Sequence, residues 1–507
     1  MIVNIYSEKQ LLCQINKYDT LIIYGAGMVG KLVYSCFISN GLEKQILGFA
    51  VSEKNVETFQ NVSVYEISEL VSYKDSAIII IATFPVLQDE ILSTLNVYGF
   101  NNIWKITENL YKDMSIKYVI DYKKRHIFSK KAIDVLLMAS DNNSSSGAFL
   151  CMVDLCVELN KRNISSVVVL PTYGNGEDIL SKKNIDFVYI SSKDWTKKID
   201  EKVPEKEKEL EKENRNAITE IENFIVQHQV KLIHNNTSYT YVGAIAAQNT
   251  KIPYIWHIRE NIFKQGFKFI NYEKAIDCIN RSEKIIGVSK YITSSYPGLD
   301  NSKIHVCYDG VNIEDYYHEK RIFESKKIII AQIGVITPLK NQKELIEAAY
   351  FLKKQQLDFQ VQLIGSGEID YIKELKRIIN ELQLKEEIVF YGRQDNVSVF
   401  YQNADIVTVC SRVESFGRTT VEAQLAGCLV IGANAGATSE LVKDGKTGFL
   451  YKPGNSKELA EKIIYAIQHP ELSREIAFLG QQYSYKNYSK EKNAENIIEI
   501  YQSIYNE

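Results

Sequence analysis

Two acidic residues flank a Phe-Gly turn in the stretch "ESFGRTTVE", where seven residues separate Glu414 from Glu422. The pattern predicts a helix that begins near Gly417 or Arg418, and the free amide groups of a helix start bind a pyrophosphate well. Carboxylates only accept hydrogen bonds, so they suit pairs of hydroxyl groups. The spacing therefore predicts a nucleotide-sugar site, with one acid at the ribose and one at the sugar. A second loop, "NAGATSE", would bring Gly436 to the same ligand.

A glycine-rich stretch near the start of the chain, "LIIYGAGMVGK", offers a second place for phosphate chemistry. Gly25, Gly27 and Gly30 follow an apolar strand and open a helix, the context in which such glycines let a backbone approach a pyrophosphate. The acidic residue expected after the next strand is not clear, because only Glu53 is offered there. Two interpretations stay open: a bound nucleotide or nucleotide sugar, and a structural or regulatory module.

The elements that must position these residues are short apolar strands, which alternate with helices along the whole chain. This alternation predicts an α/β fold of three Rossmann-like units with parallel sheets. We expect a small domain at residues 1–115, a linker at 116–131, and larger domains at 132–310 and 311–507, with the last helix packing back on the 132–310 half. Ligands of such sheets bind beyond the carboxyl ends of the strands, so a cleft between the two larger domains is the predicted site.

Composition limits the classes of partner. The 507-residue chain has a formal net charge of -3, which gives no electrostatic argument for nucleic acid. Its eight cysteines form no Cys-x-x-Cys pair and predict reduced thiols in the cytoplasm. The N-terminus lacks the features of a signal peptide, and the longest apolar stretch is shorter than the about 20 residues of a membrane span. We therefore expect a cytoplasmic protein.

Basic residues in the predicted linker suit one of two roles, of which the first is membrane contact. Lys123, Lys124, Arg125, Lys130 and Lys131 would reach anionic lipid head groups at the inner face of a membrane. The alternative is a solvated connector. The sequence contains no Asp-x-Asp, the usual metal-chelating pattern of sugar-nucleotide enzymes, so we expect no metal cofactor.

The segment Ser411–Tyr451 resembles the donor-binding signature of glycosyltransferase family 4, the retaining nucleotide-sugar transferases of GT-B fold. It carries E-x7-E, A-x-x-A-G, a glycine turn followed by Glu, and "DGKTGFL". Further landmarks stand in the family's order: "SSGAF", "IWHIREN", "IGVSKYI", "CYDGVNIEDYY", "IGVITPLKNQKELIEAA", "VQLIGSGE", "VFYGR" and "ADIVTVCS". The resemblance implies an acceptor-side domain at 132–310 and a donor domain at 311–507.

Site residues follow from this resemblance, position by position. It implies that Glu414 faces the donor sugar, that Lys340 offsets the charge of the leaving diphosphate, and that His257 lies near the reacting carbon. Glu422 would bind the ribose. The other implied donor-binding residues are Gly147 in the loop after the first acceptor-side strand, Gly334, Gly392 and Arg393 beside the base, Ser415, Phe416, Gly417, Arg418 and Thr419 around the phosphates, and Gly436. A role for His234 in "LIHNN" stays open between core and function.

Three departures from the family pattern bear on the phosphate site. Val335 stands where the family usually has an arginine, and Arg418 at the predicted helix start is our candidate to replace that charge. Leu429 replaces a common proline. Ala437 replaces a common glycine and would narrow the phosphate loop.

Residues 18–110 resemble the small Rossmann-like domains of capsule and other surface-polysaccharide proteins. Together the resemblances imply a retaining transferase that moves a sugar from a nucleotide diphosphate to a hydroxyl acceptor, with a lipid-linked saccharide as the expected acceptor. One alternative is a nucleotide-sugar epimerase or hydrolase of GT-B fold. A second is an NAD(P)-dependent oxidoreductase acting through the first domain, which lacks a Tyr-x-x-x-Lys pattern. A non-enzymatic scaffold that only binds a nucleotide is a third.

Overall fold

The computed structural model describes residues 2–15, 18–54, 56–201, 206–394 and 396–506. The chain forms three large, mainly parallel sheets. Contacts divide the chain into two units. Unit 1 comprises Met1–Ser129, Asp141–Asn143 and Leu170–Asp178, and unit 2 comprises Lys130–Ser140, Ser144–Val169 and Ile179–Glu507.

The first sheet belongs to unit 1. Its strands are β1 (Ile2–Ile5), β2 (Leu21–Tyr24), β3 (Ile46–Val51), β4 (Thr58–Phe59), β5 (Val62–Glu66), β6 (Ile78–Ile81) and β7 (Ile103–Ile106). They lie in the order β1-β7-β6-β2-β3-β5-β4, and only β4 pairs antiparallel among the described strands of this sheet. The central strands β2 and β6 are buried along their whole length, as continuous apolar runs of a parallel sheet require. Around them lie α1 (Glu8–Ile15), α2 (Met28–Ser39), α3 (Pro85–Val97), α4 (Glu108–Arg125) and 3-10 helices at Glu43–Gln45 and Ile67–Tyr73.

The predicted linker differs from the structure at residues 116–125, which belong to α4. Thr107 caps this helix by accepting a hydrogen bond from the Leu110 amide. Leu110, Met114 and Val119 are buried at helical spacing. The abundance of polar residues hid this narrow apolar stripe. The basic residues 123–125 are the last turn of α4, where cations favour the helix dipole.

The second sheet has seven strands in the order β10-β9-β8-β12-β13-β15-β16. They are β8 (Val135–Met138), β9 (Ser166–Leu170), β10 (Phe187–Tyr189), β12 (Leu232–Asn235), β13 (Tyr254–Ile258), β15 (Lys284–Gly287) and β16 (Ile304–Val306); β11 (Thr196–Lys198) and β14 (Phe267–Phe269) form an antiparallel pair beside it. The helices along this stretch are α5 (Gly147–Lys161), α6 (Gly176–Lys182), α7 (Lys206–His228), α8 (Val242–Thr250), α9 (Tyr272–Asn280) and α10 (Lys290–Ser294), with a 3-10 helix at Asn301–Lys303.

The third sheet has six parallel strands in the order β19-β18-β17-β20-β21-β22. They are β17 (Ile328–Ile333), β18 (Phe359–Ile364), β19 (Ile388–Gly392), β20 (Ile406–Val409), β21 (Leu429–Ala433) and β22 (Phe449–Tyr451). The helices are α11 (Ile313–Tyr316), α12 (Gln342–Lys354), α13 (Ile369–Glu381), α14 (Ser398–Asn403), α15 (Arg418–Leu425), α16 (Thr438–Leu441), α17 (Ser456–Gln468), α18 (Pro470–Asn487) and α19 (Lys490–Asn506). The final helix, α19, packs against α5 of the second sheet.

Counted from β2, β8 and β17, and leaving out the short antiparallel β4, all three sheets place their first strand between the second and the fourth. In such sheets the connections leave in opposite directions on either side of the first strand, and a crevice opens at the carboxyl ends there. The crevice of the third sheet lies between β17 and β20. No helix of the described residues is long and apolar enough to span a membrane.

Candidate active site

Lys340 and Glu414 meet at the crevice of the third sheet. Lys340 lies in the loop after β17, and Glu414 in the loop after β20, the neighbouring strand. The Lys340 Nζ lies 2.5 Å from the Glu414 Oε1, and the side chains are 35% and 10% exposed. The Lys340 carbonyl accepts a hydrogen bond of 2.7 Å from the Gln332 side chain, which anchors the loop. A cation and a carboxylate therefore stand together at a half-open edge of the sheet.

The loop that contains Gly436 fixes the backbone of Glu414 from behind. The Ala437 amide donates a hydrogen bond of 2.9 Å to the Glu414 carbonyl. Gly436 has a φ of +55°, and a Cβ built there would lie 2.8 Å from that same carbonyl oxygen. Only glycine fits this close approach without displacing Glu414.

The start of α15 follows directly after Glu414. Its N-cap residue, Gly417, has a φ of +97° and supplies no side-chain cap, so the first-turn amides keep their capacity to bind an anion. Phe416 is buried against Tyr308 and Tyr488. The Ser415 carbonyl accepts a hydrogen bond of 2.5 Å from the Ser289 hydroxyl, which precedes α10. Backbone atoms, and not the Phe416 ring, are thus what this turn offers to a ligand.

Glu422 and Arg418 form a buried group on the first turns of α15, next to Thr419. The Glu422 Oε2 accepts a hydrogen bond of 2.9 Å from the Tyr401 hydroxyl, and its Oε1 lies 3.3 Å from the Arg418 Nε. The Arg418 Nη1 lies 3.4 Å from the Asp154 carboxylate on α5. Burial raises the pKa of Asp154, and the Arg418 charge opposes that rise. Arg418 therefore joins the third sheet's side of the cleft to the second sheet's side.

The predicted glycines of the cleft differ in their surroundings. Cβ atoms built at Gly147, Gly334 and Gly392 would meet no atom within 4 Å. Gly147 begins α5, after β8, and Gly334 follows β17. Both glycines therefore lie after the first strand of their sheet. Gly392 ends β19 and Arg393 is exposed. Among the described residues, no hydrogen bond or ion pair joins either one to Glu414 or Glu422.

His257 lies on β13, fully buried, beside His234 of β12. The His234 Nε2 is 3.1 Å from the His257 Nδ1, which is also 3.3 Å from a terminal nitrogen of Arg259. Burial lowers the pKa of His234 to about 3 and that of His257 well below its usual range, and the Arg259 charge adds to both effects. Both rings are neutral at physiological pH. The His257 Nε2 has no hydrogen-bond partner among the described residues.

Comparison with known proteins gives the family of the segment that contains Lys340 and Glu414. Residues 314–483 match the family described as "Glycosyl transferases group 1". This segment is a group 1 glycosyltransferase domain. An uncharacterized glycosyltransferase of Methanocaldococcus jannaschii is 29% identical over 292 residues, which are 56% of this chain and 78% of that protein. The N-acetyl-alpha-D-glucosaminyl L-malate synthase of Bacillus anthracis is 26% identical over 228 residues, 45% of this chain and 56% of that enzyme.

Solved structures agree on the fold. HepE of Anabaena, crystallised in complex with UDP and glucose, aligns with a TM-score of 0.62 at 24% sequence identity, covering 73% of this chain and 100% of HepE. Similar solved structures are glycosyltransferases of GT-B fold, so the predicted fold class is confirmed. The protein is a glycosyltransferase.

The sequence did not single out several residues that hold the site of the glycosyltransferase together. Arg259 forms a buried ion pair with Asp309, and its Nε donates a hydrogen bond of 3.0 Å to the Asn236 side chain. Asp154 forms an ion pair with Arg418, and the Tyr501 hydroxyl on α19 lies 2.6 Å from the His234 Nδ1. The motifs "IWHIREN" and "CYDGVN" contain Arg259 and Asp309 and were the available signal. Nothing in the sequence pointed to Asp154 or Tyr501.

The glycine loop of unit 1 divides into two roles. Gly25 has a φ of +121°, and a Cβ there would lie 2.7 Å from the Ala82 carbonyl; a Cβ at Gly30 would collide with the Gly25 carbonyl at 1.9 Å. Both glycines are therefore required by packing. Gly27, the N-cap residue of α2, has open space around it instead.

Among the described residues of the glycosyltransferase, no group of three or more His, Cys, Asp or Glu side chains is arranged to hold a metal ion.

Proposed function

We propose that this glycosyltransferase moves a sugar from a nucleotide-diphosphate sugar to a hydroxyl acceptor with retention of configuration and without a metal ion. The observation that carries the proposal is the Lys340–Glu414 pair beside the uncapped start of α15. A departing diphosphate needs positive charge, and here a lysine and a helix N-terminus supply it together.

The transfer replaces one bond at the anomeric carbon by another. The bond to the diphosphate oxygen breaks, the acceptor oxygen bonds on the same face, and the hydroxyl proton leaves with the diphosphate. Lys340 neutralises charge on the leaving group, and Glu414 accepts hydrogen bonds from sugar hydroxyls. Lys340 exchanges its carboxylate partner for phosphate when the donor binds.

The remaining predicted residues take binding roles in this proposal. Glu422, already oriented by Tyr401, accepts ribose hydroxyls. The open space at Gly147 and Gly334 admits the diphosphate close to the backbone. Gly392 and Arg393 flank the base, and the amides from Ser415 to Thr419 hold the phosphates.

The test is a panel of nucleotide sugars assayed for binding, slow hydrolysis and transfer, with and without EDTA. Lys340→Ala and Glu414→Ala should each lower kcat by about 100-fold or more, the usual cost of a lost charge-stabilising group. Lys343→Ala is the matched control, since that lysine is half-exposed and lies 3.6 Å from Glu374. NMR of the product gives the anomeric configuration. Binding indifferent to both substitutions, an inverted product or inhibition by EDTA would overturn the corresponding part of the proposal.

We further propose a lipid-linked saccharide acceptor at the inner face of a bacterial membrane, in surface-polysaccharide assembly. This step rests on the resemblance to that group of transferases, as fold alone does not define an acceptor. Flotation with anionic vesicles tests it: we expect salt-sensitive binding that falls when Lys123, Lys124 and Arg125 are changed to Gln. Equal flotation of both proteins would contradict membrane contact through these residues.

The open space at Gly27 favours a second, accessory proposal, a nucleotide bound by unit 1. A Cβ built at Gly27 meets no atom within 4 Å, so Gly27→Val should abolish nucleotide binding at little cost in stability. Titration of the full-length chain with NAD(P)H and with nucleotide sugars, monitored by calorimetry on Lys340→Ala background, separates this site from the donor site. Identical binding by the Gly27→Val protein would refute it.

A further inference from the structure

A chain of three buried rings connects the last helix to β13 of the second sheet. The Tyr501 hydroxyl on α19 lies 2.6 Å from the His234 Nδ1, and the His234 Nε2 lies 3.1 Å from the His257 Nδ1. Both histidines are 0% exposed and Tyr501 is 3% exposed. The chain lies within unit 2.

Arg259 sets the direction of these hydrogen bonds. A guanidinium only donates, so the His257 Nδ1, 3.3 Å from the Arg259 Nη2, must be an acceptor. His234 then donates to the same atom through its Nε2–H. Because a neutral imidazole carries one proton, the His234 Nδ1 accepts from the Tyr501 hydroxyl, and the proton of His257 sits on Nε2.

The His257 Nε2–H is a buried donor without an acceptor among the described residues. Leaving such a group unpaired is costly, and exceptions in folded proteins call for a reason. Arg259, fixed by Asp309 and Asn236, has only N–H donors and therefore offers no acceptor to this group. An acceptor for this group must come from outside the described residues, and an oxygen atom of a ligand has the right chemistry.

We propose that Tyr501 is a positioning residue for the transfer: acting through His234, it holds His257 in the Nε2–H tautomer, ready to donate to an oxygen of the sugar donor. The inference rests on the proposed function for the identity of that ligand. It makes the last helix part of the machinery of the acceptor-side sheet, since α19 packs on α5 and contributes the first hydroxyl of the chain.

NMR of the full-length protein labelled with ¹⁵N-histidine tests the tautomers directly, without any substrate. The chain has seven histidines, and single His→Gln variants assign the two signals. We expect both His234 and His257 as neutral Nε2–H tautomers. In Tyr501→Phe, the His234 Nδ1 loses its donor, so the signals of His234 should change to a mixture of tautomers. Tyr505→Phe is the matched control, because it lies on the same helix with its hydroxyl 3.5 Å from the Asp134 carbonyl.

Kinetics provides the second readout. Tyr501→Phe should lower kcat about tenfold, the effect of one weakened hydrogen bond in the transition state, with the donor KM within about twofold of the unchanged protein. Tyr505→Phe should leave both constants unchanged. A His257 proton on Nδ1 in the unchanged protein, or unchanged histidine signals and kcat in Tyr501→Phe, would overturn the inference. If no nucleotide sugar is turned over, the proposed function fails while the NMR result still decides the tautomers.

His234→Gln keeps the inference testable should Tyr501→Phe not fold. The amide of glutamine can donate to the His257 Nδ1 as the imidazole does, whereas leucine cannot. We expect His257 to keep its Nε2–H signal and a higher kcat in His234→Gln than in His234→Leu. Equal kcat and equal His257 signals in the two variants would refute a positioning role.

Discussion

Arg418 contacts two carboxylates at once, and this double contact bears on its suitability for a diphosphate. Its Nε lies 3.3 Å from Glu422 and its Nη1 lies 3.4 Å from Asp154. Val335, where the family usually has an arginine, is an apolar side chain that is 52% exposed. The hypothesis that Arg418 supplies the missing charge stays a prediction. In it, the Asp154 carboxylate competes with the donor phosphate for the Arg418 guanidinium.

Substitutions at Arg418 and at Asp154 test whether Arg418 replaces the arginine that is absent at Val335. Charge-assisted hydrogen bonds exceed neutral ones in strength, so Arg418→Ala should raise the donor Kd by about tenfold or more. Asp154→Asn should leave the donor Kd equal or lower, because it releases the guanidinium for phosphate. Calorimetric titration with the preferred nucleotide sugar measures both. Donor affinity and rate unchanged in Arg418→Ala would exclude the compensation.

The single residue Glu260 makes the stability of the protein depend on pH. Burial raises the pKa of this carboxyl from 4.5 to about 7, although the Ser238 amide, 3.2 Å away, favours the charged form. The folded protein thus holds a proton that the unfolded chain has released between pH 4.5 and 7, so this group's contribution to stability falls as pH rises through that window.

The variant Glu260→Gln removes this titration. The unfolding free energy of the unchanged protein, relative to the variant, should fall by about 3 kcal/mol between pH 4 and pH 8. Thermal unfolding of both proteins across that range provides the comparison. A difference that is constant with pH, or that grows in favour of the unchanged protein at high pH, would contradict the raised pKa.

At the scale of elements, loops after adjacent parallel strands were predictable and contacts between distant helices were not. Lys340 and Glu414 follow strands whose apolar runs are plain in the sequence, and parallel pairing brings their loops to one edge. Tyr501 and His234 are 267 residues apart, and the ring of Tyr501 has the spacing of an ordinary core residue. The last turns of α4, residues 116–125, were assigned to a linker because the apolar stripe of this helix is narrow. The Tyr501–His234 contact and the end of α4 depend on how helices pack, which no local sequence pattern encodes.

The loop of Gly436 makes a prediction that separates backbone strain from displacement of the site. Gly436→Ala would place a Cβ 2.8 Å from the Glu414 carbonyl, so Glu414 must shift. Gly445→Ala is the matched control, because Gly445 has a similar φ of +69° and open space around it. Each should cost about 1–2 kcal/mol of stability for the left-handed backbone. Only Gly436→Ala should lower kcat, by about tenfold or more. Equal kcat values in the two variants would argue against a role for this loop in positioning Glu414.

At the scale of the whole molecule, one strand order recurs three times, and the glycines after the first strand serve different ends. In the second and third sheets, Gly147 and Gly334 leave open space. In unit 1, Gly25 and Gly30 are needed by packing, and Lys31 directly after them forms ion pairs with Glu177 and Asp178 at 2.6 and 2.8 Å. The lysine that a phosphate would attract is therefore already neutralised within the unit.

Unit 1 should depend on this ion pair for its stability. The Glu177 side chain is 4% exposed and also accepts a hydrogen bond of 2.8 Å from the Tyr118 hydroxyl. Removing Glu177 leaves the largely buried Lys31 with only the half-exposed Asp178 as its partner and takes away the acceptor of the Tyr118 hydroxyl, so Glu177→Ala should destabilise unit 1 by about 3 kcal/mol. Asp178→Ala should cost about 1 kcal/mol or less, because that side chain is 46% exposed. Hydrogen exchange read separately in peptides of unit 1 and unit 2 makes the comparison: the loss of protection in Glu177→Ala should be confined to unit 1. Equal exchange in the two variants would mean that the buried Glu177 contributes no more than the exposed Asp178, and would contradict the dependence of unit 1 on the Lys31–Glu177 pair.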